Sequence, residues 1–387
     1  MRPVYIGGIG STTFGRHGDL DVAGLAIRAA NAAILESGLP RDRIGALYLG
    51  NFVSGPLTGQ EVLAGLVADA LGLEQIPCTK VEGACASGGI AFRHAYLAVA
   101  LGMCDVAIAV GAEKMTHADT AGVTAALNCA MDNAADGVSG LTFPGFFGLA
   151  ARVYDDRYGG GRAGLSAVIR KNKANGLFNP LAQMGARLED DRILQSPMIC
   201  DPLRLFDCCP ISDGAAAVIL VAQSVLAYLK VEPVEVAASA QTRGSPRIAG
   251  IPDLCRFDAT VSAAQRAFDQ AGLQPSDIDL VELHDCFSIA EIIDGEDLGV
   301  VPRGAGGGWA LEGRTAVGGD MPINPSGGLL AKGHPVGATG LGQVYETVLQ
   351  LRGVHPNQVL GAAIGLTHNL GGAGVACTVN ILKRCDA

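Results

Sequence analysis

Four short segments of this 387-residue chain hold side chains whose types and neighbours suit covalent chemistry. The first is Cys85 in Val81-Glu82-Gly83-Ala84-Cys85-Ala86-Ser87-Gly88-Gly89, followed by a helical pattern from Ile90 to Leu101. A thiol that opens a helix feels the positive end of the aligned peptide dipoles, which favours thiolate, and small neighbours leave its sulfur open to a carbonyl carbon. The same pattern also describes a packing cysteine in a tight turn. The second is His334, set in Asn324-Pro325-Ser326-Gly327-Gly328-Leu329-Leu330-Ala331-Lys332-Gly333-His334-Pro335-Val336-Gly337-Ala338-Thr339-Gly340. So much glycine lets backbone approach a ligand closely, and an imidazole beside a thiol can draw off its proton.

The third segment, His284-Asp285-Cys286-Phe287, ends an apolar strand pattern from Asp279 to Leu283, the end at which open α/β sheets place ligands. A strand-capping histidine with a packed cysteine is the alternative there. The fourth, His368-Asn369-Leu370-Gly371-Gly372-Ala373-Gly374, follows another apolar run, and its glycines can present backbone N–H groups to an oxyanion. Metal binding is the rival use for these histidines and cysteines, but the segments lack the close ligand spacing of structural zinc sites, so no metal is expected. Gly7-Gly8-Ile9-Gly10 fails the dinucleotide spacing, lacks a phosphate-loop lysine and reads as a tight turn after the first strand. Cys208, Cys209, Cys377, His94 and His117 read as core or turn residues.

The elements that must position these groups follow from hydrophobic rhythm. Short apolar runs such as Val106 to Val110 alternate with longer Ala-rich helical stretches across Gly-rich joints, the pattern of repeated βαβ units with buried sheets. One plan occurs twice. An amphipathic helix from Leu20, then Gly38, Ile44 and Leu49, recurs from Phe257 as helix, Gly272, Ile278 and Leu283 with one constant offset. Two similar α/β halves are therefore expected, residues 1–116 completed by a strand near 213–222, and residues 230–387. Between them, residues 117–205 differ in composition, with Gly159-Gly160-Gly161 and the aromatics Phe143, Phe146 and Phe147, and read as a loop domain covering a site.

Composition narrows the setting. A formal charge of −10 opposes nonspecific attraction to nucleic acid or anionic lipid. Eleven cysteines without paired metal-ligand spacing, and a start that runs straight into a strand pattern, suggest reduced thiols in a cytoplasmic protein. No apolar stretch approaches the ~20 residues needed to span a bilayer.

Taken together, the Cys85 turn, the Asn324 to Gly340 segment and the Gly-rich loop at His368 resemble the thiolase superfamily in order and spacing along essentially the whole chain. Asn-Pro-x-Gly-Gly with a following Gly-His-Pro is a specific signal, and Cys209-Pro210-Ile211-Ser212-Asp213-Gly214 is similar to the strand returning from the thiolase loop domain. The best-known thiolases carry Asn-Glu-Ala-Phe where this chain has His284 to Phe287, and Cys-x-Gly-Gly-Gly where it has His368 to Gly372. Both departures resemble the sterol carrier protein 2-type thiolases.

The resemblance implies a thiolase fold: two βαβαβαββ halves in a five-layer αβαβα arrangement with an inserted loop domain. It implies acyl transfer through an acyl-Cys85 intermediate, with Cys286 as acid/base and His368 at the vacated cysteine position, sharing that work. His284 and His334 are then donors to the enolate, and N–H groups at Cys85 and near Leu370 and Gly371 hold the tetrahedral oxyanion. Phe287 and Phe147 contact the substrate, Phe146-Phe147-Gly148 standing where many thiolases have a His-Met-Gly-like stretch. No tightly bound cofactor is implied; coenzyme A and acyl-CoA are substrates, and Arg162, Arg170, Lys171, Lys173 and Arg187 are offered for their phosphates. A homodimer or homotetramer is implied, without nucleic acid. Two rival functions remain: C-acyl transfer to a non-CoA acceptor, and a CoA-binding subunit without turnover that supports an OB-fold partner.

Overall fold

The computed structural model describes residues 1–385. Nine strands form one hydrogen-bonded sheet: β1 (Val4–Ser11), β2 (Ala46–Gly50), β3 (Cys78–Val81), β4 (Val106–Glu113), β5 (Gly214–Ala222), β6 (Val234–Thr242), β7 (Leu280–Glu282), β8 (Ile364–Gly371) and β9 (Ala376–Arg384). Their order is β3-β2-β4-β5-β1-β6-β9-β8-β7. The ladder between β1 and β6 is only two residue pairs long, Tyr5 with Glu235 and Ile6 with Val234, so the sheet consists of two blocks held by a narrow hinge.

The two blocks repeat one topology. In the first, α1 (Val22–Ser37) ends at Gly38 with φ 72°, a short turn at Arg41–Arg43 follows, and β2 then pairs in parallel with β4. In the second, α6 (Asp258–Ala271) ends at Gly272 with φ 67°, Pro275–Asp277 makes the turn, and β7 pairs in parallel with β8. Both glycines occupy a left-handed conformation that costs a side-chain-bearing residue, which is why the repeat was readable from them. Even the place of β3 beside β2 has its counterpart, a parallel bridge from Ile323 to Val281 in β7.

Side-chain alternation along the strands sorts the core into layers. Ile108 and Val110 of β4 face α1, in one cluster with Leu25, Ala29 and Ala33. Ala107 and Ala109 face the other way, toward Phe92, Ala95 and Val99 of α2 (Ser87–Ala100) and Leu341, Val344 and Val348 of α8 (Thr339–Leu351). That second cluster also takes in Val234 and Leu382 of the other block, so α2 and α8 form a middle layer shared by both. Helix α6 covers the far face of the second block.

The segment between β4 and β5 carries α3 (Thr120–Asn128), α4 (Phe143–Tyr158) and α5 (Gly161–Asn175). Its apolar face, Phe146, Phe147, Ala150, Val168 and Ile169, shares a core with Phe257, Ile289 and Leu329 of the second block; Ile289 lies on α7 (Ser288–Asp297). No described helix is long and apolar enough to cross a membrane.

The structure corrects one expectation here. Gly7 to Gly10 is not a turn after the first strand but lies inside β1, with a bulge between Ile6 and Gly8. A Cβ on Gly8 or Gly10 would sit 2.4 Å from the Ala33 carbonyl oxygen or 2.2 Å from that of Ala29. These glycines let α1 lie directly on the strand.

Candidate active site

The ends of the middle-layer helices bring the chemistry together. Cys85 lies on the turn Ala84–Ala86 just before α2, and His334 lies five residues before Thr339, the first residue of α8. The two therefore hold corresponding places in the two halves. Ser87 ties the Cys85 turn, its Oγ accepting from Gly83 N–H at 3.0 Å and donating to the Ala84 carbonyl at 2.6 Å. From the end of β7 come His284, Cys286 and Phe287. A cavity of about 210 Å³ is lined by Cys85, His284, Cys286, Phe287 and His334, with Phe147, Phe143 and Val123 from the inserted segment and Gly372 after β8.

Within it, one ligating atom each of Cys85, His284 and His334 lie within 4.8 Å of one another. The two imidazoles meet edge to face with centroids 4.9 Å apart. His334 is held through its backbone N–H, donated to Ser212 Oγ at 3.1 Å, and through Nδ1, 2.7 Å from Thr339 Oγ1. Its Nε2 is buried without a protein partner. Burial drives the His334 pKa down to about 3 and that of His284 well below its ordinary value, so both rings are neutral at pH 7. Phe287 stacks on Phe147 with ring centroids 4.6 Å apart, forming one apolar wall.

The thiols depart from the sequence expectation. Burial pushes Cys85 up to about 12, although the Gly372 N–H and its own backbone N–H draw it down, with Glu113 and Glu82 adding to the rise. Burial thus favours the neutral thiol at Cys85, beside neutral imidazoles, and opposes the pull of the helix end toward thiolate. Cys286 is pushed well above the ordinary range by burial and by the neighbouring Cys209 and Cys85. It stays a protonated thiol.

Three of the expected site residues do not reach the cavity wall. His368 is fully buried behind it: Nδ1 receives the His284 backbone N–H at 3.4 Å, and Nε2 lies 3.0 Å from Thr260 Oγ1, which in turn donates to Asp294. An acceptor at Nδ1 leaves the His368 proton on Nε2, and the ring supports the His284 backbone from behind the cavity wall. Leu370 is a core residue paired with Cys377 across β8 and β9. Gly371 packs on the Cys85 turn, where a Cβ would lie 2.3 Å from the Gly83 carbonyl oxygen. The N–H aimed at sulfur belongs to Gly372, one and two residues beyond the expected positions.

Asn369 belongs to the same site, although the sequence pattern places it in a glycine-rich loop. It lies on β8 and joins the Cys85 carbonyl at 2.9 Å to His284 Nδ1 at 3.1 Å. A third consecutive polar side chain, after Thr367 and His368, in a buried strand was the available signal. Asp285, between the two site residues of its segment, turns away to accept from Leu329 and Leu330 N–H and from Asn172. Four of the cations expected near phosphate have internal partners: Arg162 with Asp207, Arg170 with Asp190, Lys171 with Glu291, and Lys173 with the Leu330 carbonyl.

Residues 4–224 match the family model described as thiolase, N-terminal domain, and residues 240–384 that described as thiolase C-terminal domain-like. The chain is 45% identical to acetyl-CoA acetyltransferase of Methanothermobacter thermautotrophicus over 99% of its own length and 100% of that protein. It is 34% identical to sterol carrier protein 2 of Bos taurus, covering 98% of this chain and 72% of the relative. Among solved structures, the Ltp2-ChsH2(DUF35) aldolase superimposes with a TM-score of 0.86 at 26% identity, covering 99% of this chain and 98% of the other. With both halves matched over nearly its whole length, the chain belongs to the thiolase family.

Proposed function

We propose that the protein is a thiolase-type acyltransferase that cleaves 3-ketoacyl-CoA with free coenzyme A, or runs the reverse condensation, through an acyl group on Cys85. The observation that carries the reading is the convergence of Cys85, His284 and His334 in one cavity that also holds the second thiol, Cys286. Likeness to acetyl-CoA acetyltransferases supports the reaction class.

The steps follow from the protonation states. Cys85 attacks the keto carbon while its proton passes to the unpartnered His334 Nε2, and Gly372 N–H faces the oxyanion that forms. The carbon–carbon bond breaks, leaving an enolate of acetyl-CoA whose oxygen accepts from His284 and from the protonated His334. Cys286 delivers its proton to the enolate carbon. Free CoA then gives its thiol proton to the Cys286 thiolate and attacks the acyl carbon, and the departing Cys85 sulfur recovers its proton from His334. Residues 117–205 cover the cavity in this reading, and Phe147 with Phe287 bounds the acyl group.

A second reading, C-acyl or aldol chemistry with a small partner protein of the OB-fold type, is favoured only by the likeness to the two-component aldolase. One experiment separates them: acetoacetyl-CoA and free CoA are supplied to wild type, Cys85→Ala and Cys286→Ala, with intact mass spectrometry for the adduct. Turnover by the isolated wild type, an acyl mass on Cys85 and loss in both variants are expected. An adduct without thiolysis would instead favour another acceptor, and no adduct would remove the acyl-enzyme reading.

A further inference from the structure

Asn369 lies at the joint between the nucleophile's turn and the histidine that faces it. Its Nδ2 is 2.9 Å from the Cys85 carbonyl oxygen and 3.1 Å from His284 Nδ1, and its Oδ1 accepts Gly89 N–H at 3.2 Å. A backbone carbonyl can only accept and a backbone N–H can only donate, so these two groups settle which end of the amide is nitrogen. The slot also fits the amide closely: a Cβ on Gly340 would fall 2.3 Å from Oδ1. One amide hydrogen serves Cys85, and the other points at His284 Nδ1.

A nitrogen that receives a hydrogen must present its lone pair, and a neutral imidazole carries one proton, which is therefore on Nε2. We propose that Asn369 is a positioning residue that locks His284 in its Nε2–H tautomer, so that His284 enters the reaction only as a hydrogen-bond donor to the enolate oxygen. The identity of that acceptor rests on the function proposed above; the tautomer does not. The lock divides the work between the two rings. His284 has no lone pair left facing the cavity, and the proton of Cys85 has only His334 Nε2 to go to. It also removes one of the three ligands that the Cys85, His284 and His334 cluster would offer a soft cation.

The test reads the tautomer directly. Protein with histidine rings labelled by the NMR-active nitrogen isotope is examined by long-range proton–nitrogen correlation, with the His284 signals identified by their loss in His284→Gln. Wild type is expected to show a bare Nδ1 and a protonated Nε2. Asn369→Asp should move the proton to Nδ1, where the carboxylate accepts it, and Asn369→Ala should give a mixture. In Asn369→Asp, kcat should fall by about 10²–10⁴-fold with KM little changed, the cost of a misplaced donor or wrong tautomer. A wild-type His284 protonated on Nδ1 overturns the proposal. So does a tautomer identical in wild type and both variants. Absence of thiolysis by wild type would strike the catalytic reading and leave the tautomer result standing.

Discussion

The rings of His284 and His334 stand nearly perpendicular, at 81° with centroids 4.9 Å apart, although one follows β7 and the other precedes α8. Two neutral imidazoles, one from the end of β7 and the other from the loop before α8, converge on one small volume, and the His334 Nε2 is buried there without a partner. Replacing His334 with Asn keeps a polar side chain but removes the base. Acylation of Cys85 should slow by about 10²–10⁴-fold, the range of a lost general base. Rapid-quench measurement of acyl-enzyme formation from acetoacetyl-CoA checks this, and an unchanged acylation rate would mean that the Cys85 proton leaves by another route.

The wall formed by Phe147 and Phe287 makes a second prediction. Phe147 is 1% exposed and also meets Phe146 at 5.1 Å and Phe257 at 6.1 Å, so it anchors the inserted segment to the second block. Phe147→Ala should cost about 3–5 kcal/mol of stability, the range for removing a buried aromatic ring. The same change enlarges the acyl end of the cavity, so the variant should gain relative activity on longer 3-ketoacyl-CoA chains. Urea unfolding and a chain-length series of substrates measure the two effects separately.

Much of this site was readable because glycine marks where backbone must come close. Gly38 and Gly272 expose the internal repeat, and the glycines around His334 by themselves mark a crowded segment. Asn369 was not readable, since its role depends on Cys85 and Gly89, which lie 284 and 280 residues away in the chain. His368 and Asn369 are adjacent in sequence, yet one supports the His284 backbone and the other its ring; strand alternation separates them, and a linear pattern does not tell which faces the cavity. The balance at Cys85 was unreadable for a related reason. A helix end was visible in the sequence, but the enclosure that raises Cys85 comes from tertiary packing.

Gly371 supplies a steric prediction. In Gly371→Ala the new methyl would meet the Gly83 carbonyl oxygen at 2.3 Å and Ala86 at 3.3 Å, forcing the end of β8 away from the Cys85 turn. Overpacking of this kind costs about 1–3 kcal/mol, and it moves Gly372 N–H away from sulfur, so activity should fall more steeply than stability. Gly308→Ala is the control: a Cβ there has nothing within 4 Å, and the variant should match wild type in activity. Equal activity of the two variants would show that the contact between Gly371 and the Cys85 turn is not needed.

The supporting role of His368 gives a pH signature. Its folded pKa is driven by burial to about 3, against the ordinary value of 6.5. Between those values the unfolded chain binds a proton at this position that the native protein does not, so stability rises with pH across the window and is lost as pH falls below 6.5. Other buried acids and histidines titrate in the same range, which makes the difference between wild type and His368→Gln the informative quantity. Relative to that variant, wild type should lose about 2 kcal/mol of unfolding free energy between pH 7 and pH 5, at about 1.4 kcal/mol per unit below the unfolded pKa. Urea titrations of both proteins at the two pH values measure it. A difference that does not change with pH would mean that His368 is protonated in the native state. It would then donate to Asp294 as a cation, and its Nδ1 could not accept the His284 backbone N–H.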